Sequence, residues 1–245
     1  MTNKMILKTV AGSRAYGLET PESDWDYHAV FVIPTVDILA LGANPKRRAW
    51  DESKEVDMQT WEVGHFLHLA TKGNPTILET FVTPPVDTTL TRDTHGYKLR
   101  KLLPFVLNKR YVRAAYLGYA HNQRAKLFNK SDDPTAVQPS ERAWKFATQY
   151  IRVLIQGEYL LRTGELVVNV GLYPNLVQCP GGISSPRPLL IKIRRGEYSM
   201  GDVINIATIL EERLEKAYDD TSLPNEADLE SVNEFLIQVR KEFWT

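Results

Sequence analysis

An apolar run from Met5 to Ala11 stops at Gly12-Ser13, and a second run from Asp24 to Ile33 starts after the turn Pro21-Glu22-Ser23. This punctuation constrains the fold more than any other stretch of the chain. Met-Ile-Leu-Lys-Thr-Val-Ala reads as a largely buried strand, Arg14 to Leu18 as a short helix, and Asp24 to Ile33, rich in β-branched and aromatic residues, as a second strand that Pro34 ends. Residues two apart on a strand share a face, so Asp24 and Asp26 are expected side by side at the strand's start. Turn composition explains them poorly, because they run straight into a strand that Asp disfavours. Two such carboxylates repel each other, and a divalent cation removes the repulsion. A Gly-Ser turn brings backbone N–H groups within reach of a phosphate.

Metal-holding acids beside a phosphate cradle are the parts that nucleotidyl transfer requires. The run Gly12-Ser13-Arg14-Ala15-Tyr16-Gly17 with Ser23-Asp24-Trp25-Asp26 resembles the DNA polymerase beta nucleotidyltransferase superfamily. Within it, the run is most similar to the RNA-repair-pathway polymerase-beta-like branch. The resemblance implies that Asp24 and Asp26 bridge two Mg²⁺ (or Mn²⁺) ions and that a neighbouring strand supplies a third carboxylate. Asp57, in Val56-Asp57-Met58, fits that place; Asp51, Glu55 and Glu62 are its rivals, and taken alone Asp57 is an ordinary exposed strand residue. Gly12 and Ser13 would hold the β- and γ-phosphates of an NTP. Arg14 either adds a charge-assisted phosphate contact or is a surface cation. Lys145 and Arg152, seven apart on a long helix, either reach the nucleotide or form a solvated face. The implied reaction is two-metal, pyrophosphate-releasing transfer to an RNA end, with tRNA among the candidates.

The remaining sequence gives the layout. Glu55 to Trp61 alternates as a half-exposed strand, with Val56, Met58 and Thr60 on one face and Asp57 and Gln59 on the other. Residues 41–55 read as loop. Glu62 to Lys72 reads as a helix closed by Gly73, and Pro75 to Phe81 as another. His95 to Asn108 (interrupted at Pro104) and Lys109 to Lys130 read as basic helices. Ser131 to Pro134 reads as loop, and Ser140 as the N-cap of a helix running to Arg162 and closing at Gly164. Val167 to Glu197, rich in Gly and Pro, reads as loops, and Gly201 to Tyr218 and Glu226 to Phe243 as final helices. The expected class is α+β. A nucleotidyltransferase domain with a mixed sheet over 1–84 is followed, after Pro84-Pro85, by a helical domain over 85–245.

The formal net charge is zero, yet Arg92 to Lys130 holds ten Lys/Arg against Asp93 alone, and Glu197 onward holds twelve acids against four Lys/Arg. The basic block points to a polyanionic partner, with Arg110, Arg113, Arg124 and Lys126 as candidate RNA contacts. Tyr97, Tyr111, Tyr116, Tyr119 and Phe128 are interleaved with it, either to stack on bases or to fill the core. His65 and His68 lack the further ligands of a zinc site. His28 stands where the resembling branch often has Arg. The lone Cys179 and the absence of a signal-like or membrane-length apolar run suit a cytoplasmic protein. Two other readings stay open: AMP transfer to a protein hydroxyl, as in antitoxins of the same superfamily, and an RNA-binding protein without catalysis.

Overall fold

The computed structural model describes residues 3–42, 57–86, 90–128, 139–173 and 185–245. Val56, the rivals Asp51 and Glu55, most of the 41–55 loop, Lys130 and the loop 131–134 lie outside the described residues. The chain divides into two contact units, one of residues 1–15, 19–108 and 224–245, the other of 16–18 and 109–223.

The first unit is built on a three-stranded sheet of order β1-β2-β3, with β1 at Lys4–Ala11, β2 at Asp26–Val32 and β3 at Asp57–Glu62. A five-residue helix, α1 (Gly12–Tyr16), follows β1 directly. β1 and β2 are antiparallel, pairing Ala11 with Asp26, while β2 and β3 are parallel, pairing Asp26 with Asp57. A parallel pair needs a crossover between its strands. The described start of that crossover is a short helix, α2 (Thr35–Leu39), where the sequence had suggested only a stop at Pro34. β3 alternates as expected, exposing Asp57 and Gln59 while Met58 and Thr60 are partly covered.

Helices α3 (Val63–Thr71) and α4 (Pro75–Val82) follow. Gly73 ends α3 with φ +69°, and the Asn74 side chain caps α4. The stretch from His95 to Asn108 forms two short helices, α5 (His95–Arg100) and α6 (Leu103–Val106). Both belong to the sheet's own unit. The physical reason lies at β1. Residues 84–86 pair along its outer edge, with Val10 N–H donating to the Pro84 carbonyl (3.1 Å) and Val86 N–H to the Lys8 carbonyl (2.8 Å). Gly96 of α5 lies so close to β1 that a Cβ there would sit 2.2 Å from the Ile6 carbonyl oxygen.

The last helix, α11 (Leu229–Glu242), returns to this unit. Arg240 pairs with Glu62 at 2.7 Å, and the Glu62 side chain is only 1% exposed. Thr35 donates its hydroxyl to the Arg240 carbonyl (2.6 Å) and its N–H to the Phe243 carbonyl (2.8 Å). His95 Nε2 meets Glu242 Oε2 at 2.8 Å.

The second unit contains α7 (Lys109–Leu127), α8 (Glu141–Thr163), α9 (Pro186–Arg194) and α10 (Met200–Asp220). Helix α8 is its centre and is buried almost continuously from Ala147 to Leu161. Ser140 caps it through Ala143 N–H, and Gly164 closes it in the left-handed region. Gly157 gives Tyr116 of α7 room, since a Cβ would lie 2.7 Å from its ring. The acidic segment packs as α10 against α7 and α8. Helix α9 lies within 167–197, where loops were expected. Its signal was Pro186 at the first turn, a position where Pro is pre-organised for a helix.

Replacing Arg240 with Ala would strand a buried carboxylate. The expected cost is about 3–5 kcal/mol, read as a lower urea midpoint, and a Glu62→Gln, Arg240→Met pair should recover much of it.

Candidate active site

Three features meet at the start of β2. Gly12 adopts φ +63°, and a Cβ on it would stand 1.9 Å from Asp26 Oδ2. Only a residue without a side chain leaves that carboxylate its place. Asp57 is the parallel-register partner of Asp26, one strand away. Asp24 is exposed and lies two residues ahead of β2, which begins at Asp26 rather than at Asp24 as the sequence suggested.

The Asp26 carboxyl is held above the ordinary range, first by burial, then by the charges of Asp57 and Asp24. That is the electrostatic signature of acids gathered without a counter-charge. The donors are all hard carboxylate oxygens, which fits Mg²⁺ or Mn²⁺ and not a soft metal. Among the described residues no three His, Cys, Asp or Glu side chains close on a common metal-sized centre. Asp26 and Asp57 stand opposite each other on adjacent strands, which lie ~4.8 Å apart.

Arg14 grips the turn ahead of β2. Its Nη2 donates to the Ser23 carbonyl at 2.6 Å and its Nε to the Asp24 carbonyl at 3.2 Å. The turn it grips is closed by Thr20 N–H donating to Ser23 Oγ (2.8 Å) and Ser23 N–H donating to the Thr20 carbonyl (3.0 Å). Arg14 therefore fixes the backbone that carries Asp24. Ser13 lies on α1, partly covered.

In the second unit Lys145 and Arg152 occupy unlike surroundings despite their shared helical phase. Lys145 is exposed and pairs with Glu141 at 3.1 Å. Arg152 is buried, its guanidinium 3.7 Å above the Tyr16 ring and its Nε donating to Gln149 Oε1 at 2.7 Å. This gives Tyr16 a packing role. Gly17 beside it is held by Arg187, whose Nε donates to the Gly17 carbonyl at 2.9 Å. Arg187 was missed because its segment was read as loop; the Pro on either side of it was the available signal.

The basic block is partly spent inside the fold. Arg113 makes a two-pronged pair with Glu215, Nε to Oε2 at 2.5 Å and Nη2 to Oε1 at 2.6 Å. Arg110, Arg124 and Lys126 stay exposed on α7. Lys126 lies 5.7 Å from the centre of the Phe146 ring. Tyr116 is buried, whereas Tyr111 and Phe128 are exposed.

A family model, the RNA repair pathway DNA polymerase beta family, matches residues 2–238. The chain belongs to that family. Families of this polymerase-beta type generally use an NTP and a divalent metal. An uncharacterized 38.9 kDa protein of Enterobacteria phage T4, from the nrdC-mobD intergenic region, is 34% identical over 89 residues, which is 34% of this chain and 26% of that protein. The match thus spans about a quarter of the phage protein's length. Spectinomycin adenyltransferase AAD(9) of Enterococcus faecialis, solved with ATP and spectinomycin, overlaps loosely, with a TM-score of 0.42 and 16% identity over 86% of this chain and 92% of that one.

His28 is buried in the first unit. Thr80 Oγ1 lies 3.1 Å from the Thr76 carbonyl and 3.1 Å from His28 Nδ1. The His28 pKa is lowered by burial, against the opposing charges of Glu79 and Asp57. Glu79, 2% exposed, was not foreseen as part of this neighbourhood.

Two outcomes follow from Gly12 and Asp26. Gly12→Ala should push Asp26 aside and slow transfer roughly a hundredfold, the scale of an ångström-sized misplacement. Because the folded pKa of Asp26 is raised, its ionisation disfavours the fold. The cost is absent below the unfolded value of 3.8 and grows as pH rises to the folded value. Asp26→Asn should accordingly raise Tm at neutral pH and lose that advantage below about pH 4, as thermal melts across pH would record.

Proposed function

We propose that this protein transfers a nucleotidyl group from an NTP to the end of an RNA, with tRNA among the acceptors, using Mg²⁺ or Mn²⁺. The observation that carries the reading is the register of Asp26 against Asp57 beside Asp24, next to a glycine whose missing side chain leaves Asp26 its place. Asp24, Asp26 and Asp57 would hold the metal. When bound, a divalent cation neutralises triphosphate charge and lowers the pKa of an attacking hydroxyl. Backbone N–H groups of Gly12 and Ser13 and the Ser13 hydroxyl are assigned to the β- and γ-phosphates. Arg14 keeps Asp24 in place through the turn it grips. The exposed cations Arg110, Arg124 and Lys126 are assigned to RNA phosphates, and Arg113 is not, because Glu215 already engages it. The cytoplasm is the compartment this substrate implies. Among the described residues no helix is long and apolar enough to cross a membrane.

The neutralisation of Arg113 favours a second reading, AMP transfer to a protein hydroxyl, because it weakens the argument for a cationic groove. One experiment separates the two. The protein is incubated with Mg²⁺ and each α-labelled NTP in turn, with bulk tRNA and cell-extract protein both offered. Label is expected in RNA and lost in Asp26→Asn; label in a protein band alone transfers the assignment to protein nucleotidylylation. Independently of turnover, Mg²⁺ should raise the Tm of the wild type and leave Asp26→Asn unmoved.

A further inference from the structure

At the start of β2 the side chains that alternate with the carboxylates form a row of their own. Trp25 is 53% exposed. Its ring and that of Tyr27 are near-parallel, at 11°, with centres 6.2 Å apart. The Arg14 guanidinium sits 4.3 Å from the Trp25 ring centre, and Lys8 Nζ sits 4.5 Å from that of Tyr27. The order is cation, ring, ring, cation, all within the first unit. Among the described residues neither Lys8 nor Arg14 has a carboxylate partner, unlike Arg113 with Glu215 or Lys145 with Glu141.

A large ring left in water, as Trp25 is, costs hydrophobic free energy, and cations placed on rings keep most of their charge available to an anion. We propose that this row docks single-stranded RNA, bases stacking on Trp25 and Tyr27 and phosphates meeting Lys8 and Arg14. Charge complementarity selects the occupant. Two cations separated by two rings match a repeating polymer of phosphates and π-faces, whereas the single base of an NTP covers one ring and leaves the far cation unmet. The row also places the acceptor, since Trp25 lies in the chain between Asp24 and Asp26. The inference rests on the RNA reading above and deepens it by naming the surface that receives the strand.

The test is fluorescence anisotropy with a short labelled single-stranded RNA, using Trp25→Ala, Trp25→Phe and Lys8→Ala. Trp25→Ala should weaken binding roughly fivefold or more, the lower end for a base stacked on an aromatic ring. Trp25→Phe should restore much of the affinity, and Lys8→Ala should lower the salt slope by about one. NTP-induced thermal stabilisation should be retained by Lys8→Ala, which separates a lost RNA contact from a lost fold. Unchanged RNA affinity in both Trp25→Ala and Lys8→Ala overturns the docking surface and leaves RNA transfer standing. Competitive displacement of RNA from the row by free NTP overturns it too, by giving the rings to the nucleotide. A wild type that binds no RNA overturns both this inference and the RNA reading.

Discussion

Parallel pairing of β2 with β3 is the constraint on which the first unit turns. It sets Asp57 beside Asp26 and cannot be satisfied by a hairpin, so the chain must leave the sheet and re-enter it. Once that register is fixed, the neighbouring choices lose their freedom. Gly12 has no room for a side chain, and Asp26 must stay partly buried beside two like charges. The turn before β2 needs an external grip, which Arg14 supplies through two carbonyls. The arrangement holds charge at a cost in stability, as sites built for a ligand commonly do.

Charge elsewhere is arranged to cancel. The basic and acidic blocks, far apart in sequence, meet as α7 and α10, where Arg113 and Glu215 pair. Half-exposed pairs of this kind contribute only ~0–1 kcal/mol each. Their larger effect is on what remains visible to a polyanion, which is fewer cations than the block contains. The Lys8–Arg14 row, with no acid against it among the described residues, is the electrostatic opposite despite having only two charges.

Local signals in the sequence were enough for the elements with strong punctuation. Ser140 and Gly164 bracket α8, and Gly12-Ser13 marks the end of β1, because caps and turns act over a few residues. The match of Asp57 to Asp26 needed the fold, since register between non-adjacent strands has no local signature; the resemblance supplied it. What stayed hidden was non-local. Nothing near Lys145 and Arg152 says that one is in solvent and the other lies on Tyr16, because helical phase reports direction and not depth. Helix α9 was masked by Pro and Gly composition that suits both loops and helix starts. The return of α11 to the sheet, through Arg240 and Glu62, is a contact between residues far apart in sequence.

That return has a consequence for how the molecule is made. A ribosome releases β1, β2 and β3 first and Leu229–Glu242 only after the whole of α7 to α10. Until then Glu62 has no Arg240, and Thr35 lacks the backbone acceptors that α11 and its last residues provide. Domains ordinarily fold in the order of synthesis. Here the carboxylate-bearing sheet, though first to emerge, waits for a late segment to complete it. The helical unit, uninterrupted from Lys109 to Leu223 apart from Tyr16–Leu18, has nearly all its parts earlier. Partial products therefore carry the signature motif without the α11 contacts that Glu62 and Thr35 make in the finished fold.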